Sequence, residues 1–335
     1  MIDEQAIRTE DTASVTPRRS ATRKRNVLRR AIVAMLAFSL GFGSGYLVWG
    51  RRQPAATGAQ PADSAGAKPS VEIDLAALSR QVNPPEGFSV PATFGDLGPR
   101  LLAAGAIDLE RFKQVYEQAG QPLTEAQLAI LTQGSGESIV INGENADFLL
   151  NFFWAVGLTN QNRILTEGQM MQGGPAQIGN FASTAGWTIG RKSPTELYAS
   201  TPLIALTTEQ QIRLEEVAAN VYRPCCDNPT HFPDCNHGMA MLGLLELMAS
   251  QGATTDDMLA TAKYANAFWY PQQTLEQAVF FKAARGLNFD QVEPREIVGA
   301  RYSSASGFQA VHKLLADNGM LKPSAGGGGS CGVQP

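Results

Sequence analysis

Cysteine and histidine are scarce in this chain, which has four cysteines and three histidines among its 335 residues. Three of the cysteines and two of the histidines nevertheless fall in one stretch, VYRPCCDNPTHFPDCNHGMAM, between Val221 and Met241. Thiol and imidazole groups carry much of the metal-binding and redox chemistry of proteins. Their concentration predicts that the chemistry of the chain lies in this stretch.

The chain also lacks an excess of positive charge. It has 27 basic and 31 acidic residues, but ten of the basic and only four of the acidic ones precede residue 53. The remainder therefore carries 17 basic against 27 acidic residues, a formal charge of −10. Because nucleic-acid binding depends on basic patches, we expect no nucleic-acid partner. A P-loop and the CxxCH signature of covalent haem are absent as well.

One long apolar run is present, from Ala31 to Trp49 (AIVAMLAFSLGFGSGYLVW), and it contains no charged residue. Its length is about that of an apolar helix that spans a bilayer. More positive charge precedes the run than follows it, which predicts a cytoplasmic basic tail at 1–30 and a single-pass transmembrane signal anchor at 31–50. The C-terminal part would then lie outside the cytoplasm, in the periplasm or the extracellular space. A cleaved signal peptide is the alternative, although its apolar region is usually shorter.

Composition and periodicity divide the rest of the chain. Residues 51–70 are rich in Pro, Ala and Gly, which predicts a flexible linker. Beyond them, apolar residues recur at spacings of three and four between capping residues, which predicts a mainly α protein; ESIVING is the one strand-like run. We expect a helical domain of unassigned role at 71–205, a helical bundle with the Cys/His loop at 206–322, and a flexible Gly-rich tail at 323–335. The glycine-rich MMQGGPAQIGNFASTAGWTIG is predicted to be an ordered loop near the site.

The segment from Glu209 to Pro271 resembles a known family. The stretches EQQIRLEEVAANVYRPCC, LLELMASQGATTDDM and YANAFWYPQ are similar to the thiol domain of the cytochrome c maturation H-type (CcmH) proteins. The resemblance implies a three-helix bundle on the outer face of a membrane, with the cysteines between its first two helices. It also implies thiol:disulfide chemistry, with partners in cytochrome biogenesis or among other exported redox proteins.

The chain departs from that family at the cysteine motif. Cys226 matches the second cysteine of the family's Cys-x-x-Cys, but Arg223 stands at the position of the first, and Cys225 is directly adjacent to Cys226. His231, Cys235 and His237 are additions to the family pattern.

The spacing C-C-x4-H-x3-C-x-H favours a metal site. Thiolates and imidazoles are the ligands that copper and zinc select, and a tetrahedral site needs four of them. Prolines within the loop would hold its turn rigid. The sequence therefore predicts a copper or zinc ion bound by Cys225, Cys226, His231, Cys235 and His237.

Two other interpretations use the same residues. In the first, Cys226 and Cys235 form the exchanging pair of a thiol:disulfide oxidoreductase, since a thiol near a helix N-terminus and a histidine becomes nucleophilic. In the second, a disulfide between Cys226 and Cys235 only staples a scaffold protein, because disulfides are ordinary in an oxidising compartment. All three interpretations place the site outside the cytoplasm.

Overall fold

The computed structural model describes residues 73–321. The predicted cytoplasmic tail, signal anchor, linker and glycine-rich tail lie outside these residues. Within 73–321, no helix combines the length and the apolar character needed to cross a bilayer.

Most of the described chain is helical, so the prediction of a mainly α protein is confirmed. The α-helices are α1 Leu75–Val82, α2 Leu97–Ala104, α3 Leu109–Gln118, α4 Glu125–Thr132, α5 Ala146–Thr159, α6 Arg163–Thr166, α7 Ala182–Ala185, α8 Pro194–Leu197, α9 Thr208–Asn220, α10 Asn236–Ser250, α11 Thr255–Trp269, α12 Pro271–Arg285, α13 Pro294–Ile297, α14 Ala300–Ser303 and α15 Ala305–Asp317. The strands are β1 Phe88–Gly95 and β2 Ser135–Ile141, and short 3-10 helices run Gln169–Met171, Pro175–Asn180 and Phe289–Gln291.

The two strands pair antiparallel, with Phe88 opposite Ile141, and α2, α3 and α4 lie between them in the sequence. The strand predicted at ESIVING is confirmed as part of β2. β1 was not predicted, because its sequence FSVPATFG contains proline and glycine, which are weak strand residues. Distant contacts hold it in place: the backbone N–H and C=O of Thr93 both bond to the side-chain amide of Gln251.

Helices α5 and α10 form the most extensive helix pair, and they meet at two glycines. A Cβ atom on Gly157 would lie 2.1 Å from the carbonyl oxygen of Met239, and one on Gly243 would lie 2.3 Å from that of Phe153. Only glycine allows the two backbones to approach this closely. Since Met239 is in the first turn of α10, this contact fixes the end of the helix that follows the cysteine loop.

Helices α9, α10 and α11 are consecutive, and the cysteine loop joins the first two of them. Capping boxes begin α9, at Thr207 with Gln210, and α11, at Thr254 with Asp257. The described residues form one compact unit, and a single hydrophobic core includes residues on both sides of position 205.

Candidate metal centre

The loop between α9 and α10 folds back onto the end of α9. The amide of Thr230 donates to the carbonyl of Val221 at 2.8 Å, and the amide of His231 donates to that of Ala218 at 2.9 Å. The amide of Tyr222 donates to the carbonyl of Val298, just before α14, at 2.8 Å. These bonds hold the outgoing and returning limbs of the loop side by side.

Three cysteine sulfurs meet where this loop closes. The Sγ atoms of Cys225 and Cys235 are 3.3 Å apart, those of Cys226 and Cys235 are 3.9 Å apart, and those of the adjacent Cys225 and Cys226 are 4.0 Å apart. The two adjacent cysteines therefore both face the sulfur of Cys235. We call these three residues the cysteine triad. All three are free thiols, so no disulfide staples the loop.

Arg223 lies beneath the triad and is only 2% exposed. Its Nε donates to the sulfur of Cys235 at 3.0 Å, and one terminal nitrogen donates to the carbonyl of Asn228 at 2.8 Å. The other terminal nitrogen donates to the carbonyl of Phe232 at 3.3 Å and to the carboxylate of Asp234 at 2.7 Å. A single guanidinium therefore ties both limbs of the loop to a cysteine sulfur.

Asp234 completes this arrangement from the returning limb of the loop. One of its carboxylate oxygens accepts from Arg223, and the other accepts from the side-chain amide nitrogen of Asn228 at 2.8 Å. The thiol of Cys226 also lies 3.7 Å from the first of these oxygens. Neither Arg223 nor Asp234 was predicted as a site residue, because the prediction considered only the thiol and imidazole groups of the loop.

Cys235 is the N-cap of α10. Its backbone is extended, and its sulfur accepts from the amide of Gly238 at 3.4 Å. The sulfur takes the place of the usual capping oxygen. The sulfur of Cys235 therefore receives N–H groups from both the helix end and Arg223.

These contacts separate the three thiols electrostatically. Hydrogen bonds from Cys225 and Cys226, followed by the charge of Arg223, hold the pKa of Cys235 well below its usual value of 9.0 despite burial. Hydrogen bonds to its two partners raise the pKa of Cys225. For Cys226, the bond with Cys225 acts to lower the pKa, but the bond with Cys235 and burial outweigh it and raise the pKa to about 12. Among the three sulfurs, that of Cys235 is therefore the one whose ionised form its surroundings favour.

Neither predicted histidine joins the triad. Among the described residues, the only candidate ligand atoms that lie within 4.8 Å of one another are the three cysteine sulfurs. His231 is half-buried in the loop. The ring of His237 stacks on Tyr270, with centroids 4.5 Å apart, and its Nδ1 lies 2.9 Å from the Oδ1 of Asn236. Burial lowers the pKa of His237 to about 4, so the ring is neutral.

The spacing of the sulfurs fits a bound transition metal. With a zinc–sulfur bond of about 2.3 Å, the sulfurs of a tetrahedral site are separated by ~3.8 Å and those of a trigonal site by ~4.0 Å. The observed separations of 3.3, 3.9 and 4.0 Å lie around these values. Side-chain rotations that move the sulfur atoms by a few tenths of an ångström would place one ion in contact with all three sulfurs.

The glycine-rich segment before α8 borders the site, as predicted. The amide of Ser183 donates to the carbonyl of Asp234 at 3.0 Å, and the ring of Phe181 packs edge-on against that of Phe232 at 5.6 Å. Met241, four residues beyond His237, is buried in the hydrophobic core. The fourth cysteine, Cys331, lies outside the described residues.

Comparison with known proteins adds no relative to this description. No protein-family model, curated protein or solved structure matches the chain. The likeness of residues 209–271 to the CcmH thiol domain therefore stays a prediction from the sequence.

Proposed function

We propose that the protein binds a transition-metal ion, copper or zinc, through the thiolates of Cys225, Cys226 and Cys235. The observation that carries this proposal is the mutual spacing of the three sulfurs, which matches the edges of a metal–thiolate site. Two of these residues are adjacent and the third is ten positions away, so the loop must be folded in order to bring them together. A purely structural loop has no need of such a cluster of free thiols.

The surroundings of the triad support binding of a cation by thiolates. Arg223 and the amide of Gly238 both donate to the sulfur of Cys235, and outer contacts of this kind orient metal ligands and stabilise their charge. Three thiolates suit trigonal Cu(I), whereas zinc would take a fourth ligand. His237 and His231 were predicted as ligands, and we propose His237 for that fourth position because it is two residues from Cys235 in the sequence and the charge of Cys235 acts on it.

The sequence further supports a place for this site at a membrane. We propose that residues 31–50 anchor the chain and that the described part lies outside the cytoplasm, on the strength of the uncharged run and the basic residues that precede it. A soft-metal site in that compartment would meet exported proteins as partners. Protease protection of the full chain in sealed inverted and right-side-out membrane vesicles tests this orientation.

A second candidate function is thiol:disulfide exchange by Cys226 and Cys235. The observation that favours it is the sulfur of Cys235, which caps a helix and accepts from Arg223, an environment typical of nucleophilic thiolates. Under this candidate the purified protein would hold no metal and would reduce a disulfide substrate. The metal assignment and the exchange assignment therefore make opposite predictions for the same preparation.

The test is elemental analysis of the anaerobically purified full chain, together with counting of free thiols. We expect stoichiometric copper or zinc, lost when Cys225, Cys226 or Cys235 is changed to Ser. Cys331→Ser is the matched control, since it removes a cysteine outside the triad, and it should keep the metal. Metal-free protein that also fails to take up Zn²⁺ or Cu(I) would overturn the proposal, and activity toward a disulfide substrate would then support exchange.

A further inference from the structure

Tyr270 stands out among the residues around the triad because its hydroxyl group is buried without a hydrogen-bond partner. The residue is 8% exposed, and its oxygen is shielded from solvent. A buried hydroxyl that makes no hydrogen bond destabilises a protein, so such groups are uncommon and call for a physical explanation.

The position of Tyr270 is fixed from two sides. It links α11 to α12: its amide donates to the carbonyl of Asn266 at 2.8 Å, and its own carbonyl accepts from the amide of Thr274 at 2.9 Å. Its ring stacks on His237, in the first turn of α10, with centroids 4.5 Å apart. The ring of Tyr270 is therefore held between the α11–α12 junction and the start of α10.

The hydroxyl is next to the triad, since the Tyr270 ring packs against His237, two residues beyond Cys235. Burial raises the pKa of the phenol, and the charges of Cys225 and Cys235 raise it further, so the hydroxyl is close enough to interact electrostatically with both sulfurs. In the structure the sulfur of Cys225 lies 3.3 Å from that of Cys235 and 4.0 Å from that of Cys226, and the Tyr270 hydroxyl makes no hydrogen bond with it. A sulfur that coordinates a metal ion is a thiolate, and charged acceptors form stronger hydrogen bonds than neutral ones.

We propose that the Tyr270 hydroxyl donates a hydrogen bond to the thiolate of Cys225 when the triad holds its metal, which makes Tyr270 a positioning residue of the metal centre. This inference rests on the proposed metal-binding function. It accounts for the missing partner, because the group that the hydroxyl is placed to meet is the loaded form of the site. It also connects α11 and α12 to the metal, although neither helix supplies a ligand.

Substitution of Tyr270 should have opposite effects on the stability of the metal-free protein and on the binding of the metal. Tyr270→Phe removes an unpartnered polar atom from the metal-free protein, whose Tm should stay level or rise by roughly 2–4 °C. In the loaded protein the same change removes a bond to a ligand, and the metal affinity should fall about 10-fold to 100-fold. A residue that only supports the fold would lower the stability of both states.

The experiment compares the full-length wild type, Tyr270→Phe and the control Tyr264→Phe. Tyr264 is in α11, the helix that ends just before Tyr270, and its ring stacks on that of Phe88, away from the sulfurs. Each protein is melted without metal, titrated with Zn²⁺ and Cu(I) against a competing chelator, and loaded with Co²⁺ to record the sulfur-to-cobalt charge-transfer bands. We expect only Tyr270→Phe to lose affinity and to shift these bands.

Unchanged affinity and unchanged bands in Tyr270→Phe would overturn the role of Tyr270 while leaving the metal site intact. A wild type that binds none of the three ions would overturn the metal site and this inference together. If Tyr270→Phe lowers the Tm of the metal-free protein as well as the metal affinity, the residue is a structural support and the inference is wrong.

Discussion

The Nε of Arg223 lies 3.0 Å from the sulfur of Cys235, although the two residues are twelve positions apart. The same guanidinium reaches the carboxylate of Asp234 at 2.7 Å, and it is almost fully buried. Its burial acts to lower the pKa of Arg223, but the three neighbouring sulfurs outweigh this effect and raise it. The arginine is therefore the permanent positive charge of the candidate metal centre.

Removal of this charge should be costly. Arg223→Met leaves the half-buried Asp234 and the buried sulfur of Cys235 without their partner, and we expect the free energy of unfolding to fall by about 3–5 kcal/mol, with weaker metal binding. Arg223→Lys should fall between this variant and wild type, because an ammonium group lacks the planar fork that reaches several acceptors. Urea unfolding of the metal-free protein measures the loss of stability in both variants.

Arg295→Met is the matched control for these variants. Arg295 pairs with Glu216 at 3.0 Å, but both side chains are exposed, and such pairs contribute about 0–1 kcal/mol. An Arg223→Met protein no less stable than this control would show that the buried guanidinium does not organise the loop.

Gly238 has no room for a side chain because of the same arginine. A Cβ atom at this position would lie 2.4 Å from the guanidinium carbon of Arg223. Alanine normally stabilises a helix by about 0.5–1 kcal/mol relative to glycine. Gly238→Ala should instead destabilise the protein and weaken metal binding, and thermal melting with metal titration would detect both effects.

The cause can be isolated by a double-mutant cycle. In an Arg223→Met background the clash with the guanidinium is gone, so Gly238→Ala should become much less harmful there. Gly136→Ala serves as the control, since a Cβ at that position meets no atom within 4 Å. Equal losses in both backgrounds would mean that Gly238 is required for a reason other than space for Arg223.

Glu246 should make the stability of the protein depend on pH. It lies fully buried in α10, neither of its carboxyl oxygens has a partner among the described residues, and burial raises its pKa well above 4.5. The folded state therefore keeps a proton that the unfolded state releases near pH ~4.3. Because the unfolded state binds fewer protons in this range, stability falls as the pH rises from there toward the raised pKa.

Glu246→Gln removes this titration. Within that window, the free energy of unfolding of Glu246→Gln relative to wild type should increase by up to about 1.4 kcal/mol for each pH unit. Urea unfolding at several pH values from 4 to 8 measures the difference, with Glu144→Gln, an exposed site, as control. A difference between Glu246→Gln and wild type that stays constant over this range would contradict the prediction.

Much of the helical structure could be predicted because its signals are local. Thr207, Thr254 and Asp108 each cap a helix through a side-chain oxygen, which accepts a hydrogen bond from an amide only three residues along the chain. β1 could not be predicted, because the bonds that hold Thr93 come from Gln251, 158 positions away. The close contact of Gly157 with Met239 is likewise invisible in either local sequence.

For the candidate site, the sequence by itself determined the chemistry that is present, since few cysteines and histidines exist and most fall in one loop. The tertiary structure decided which of them meet and what surrounds them. It brings three sulfurs within 4.0 Å, stacks His237 on Tyr270, and buries Arg223 beneath Cys235. The physical reason is that residue types fix donor atoms and charges, whereas distances, burial and partners depend on helices that are far apart in the chain and meet only in the folded core.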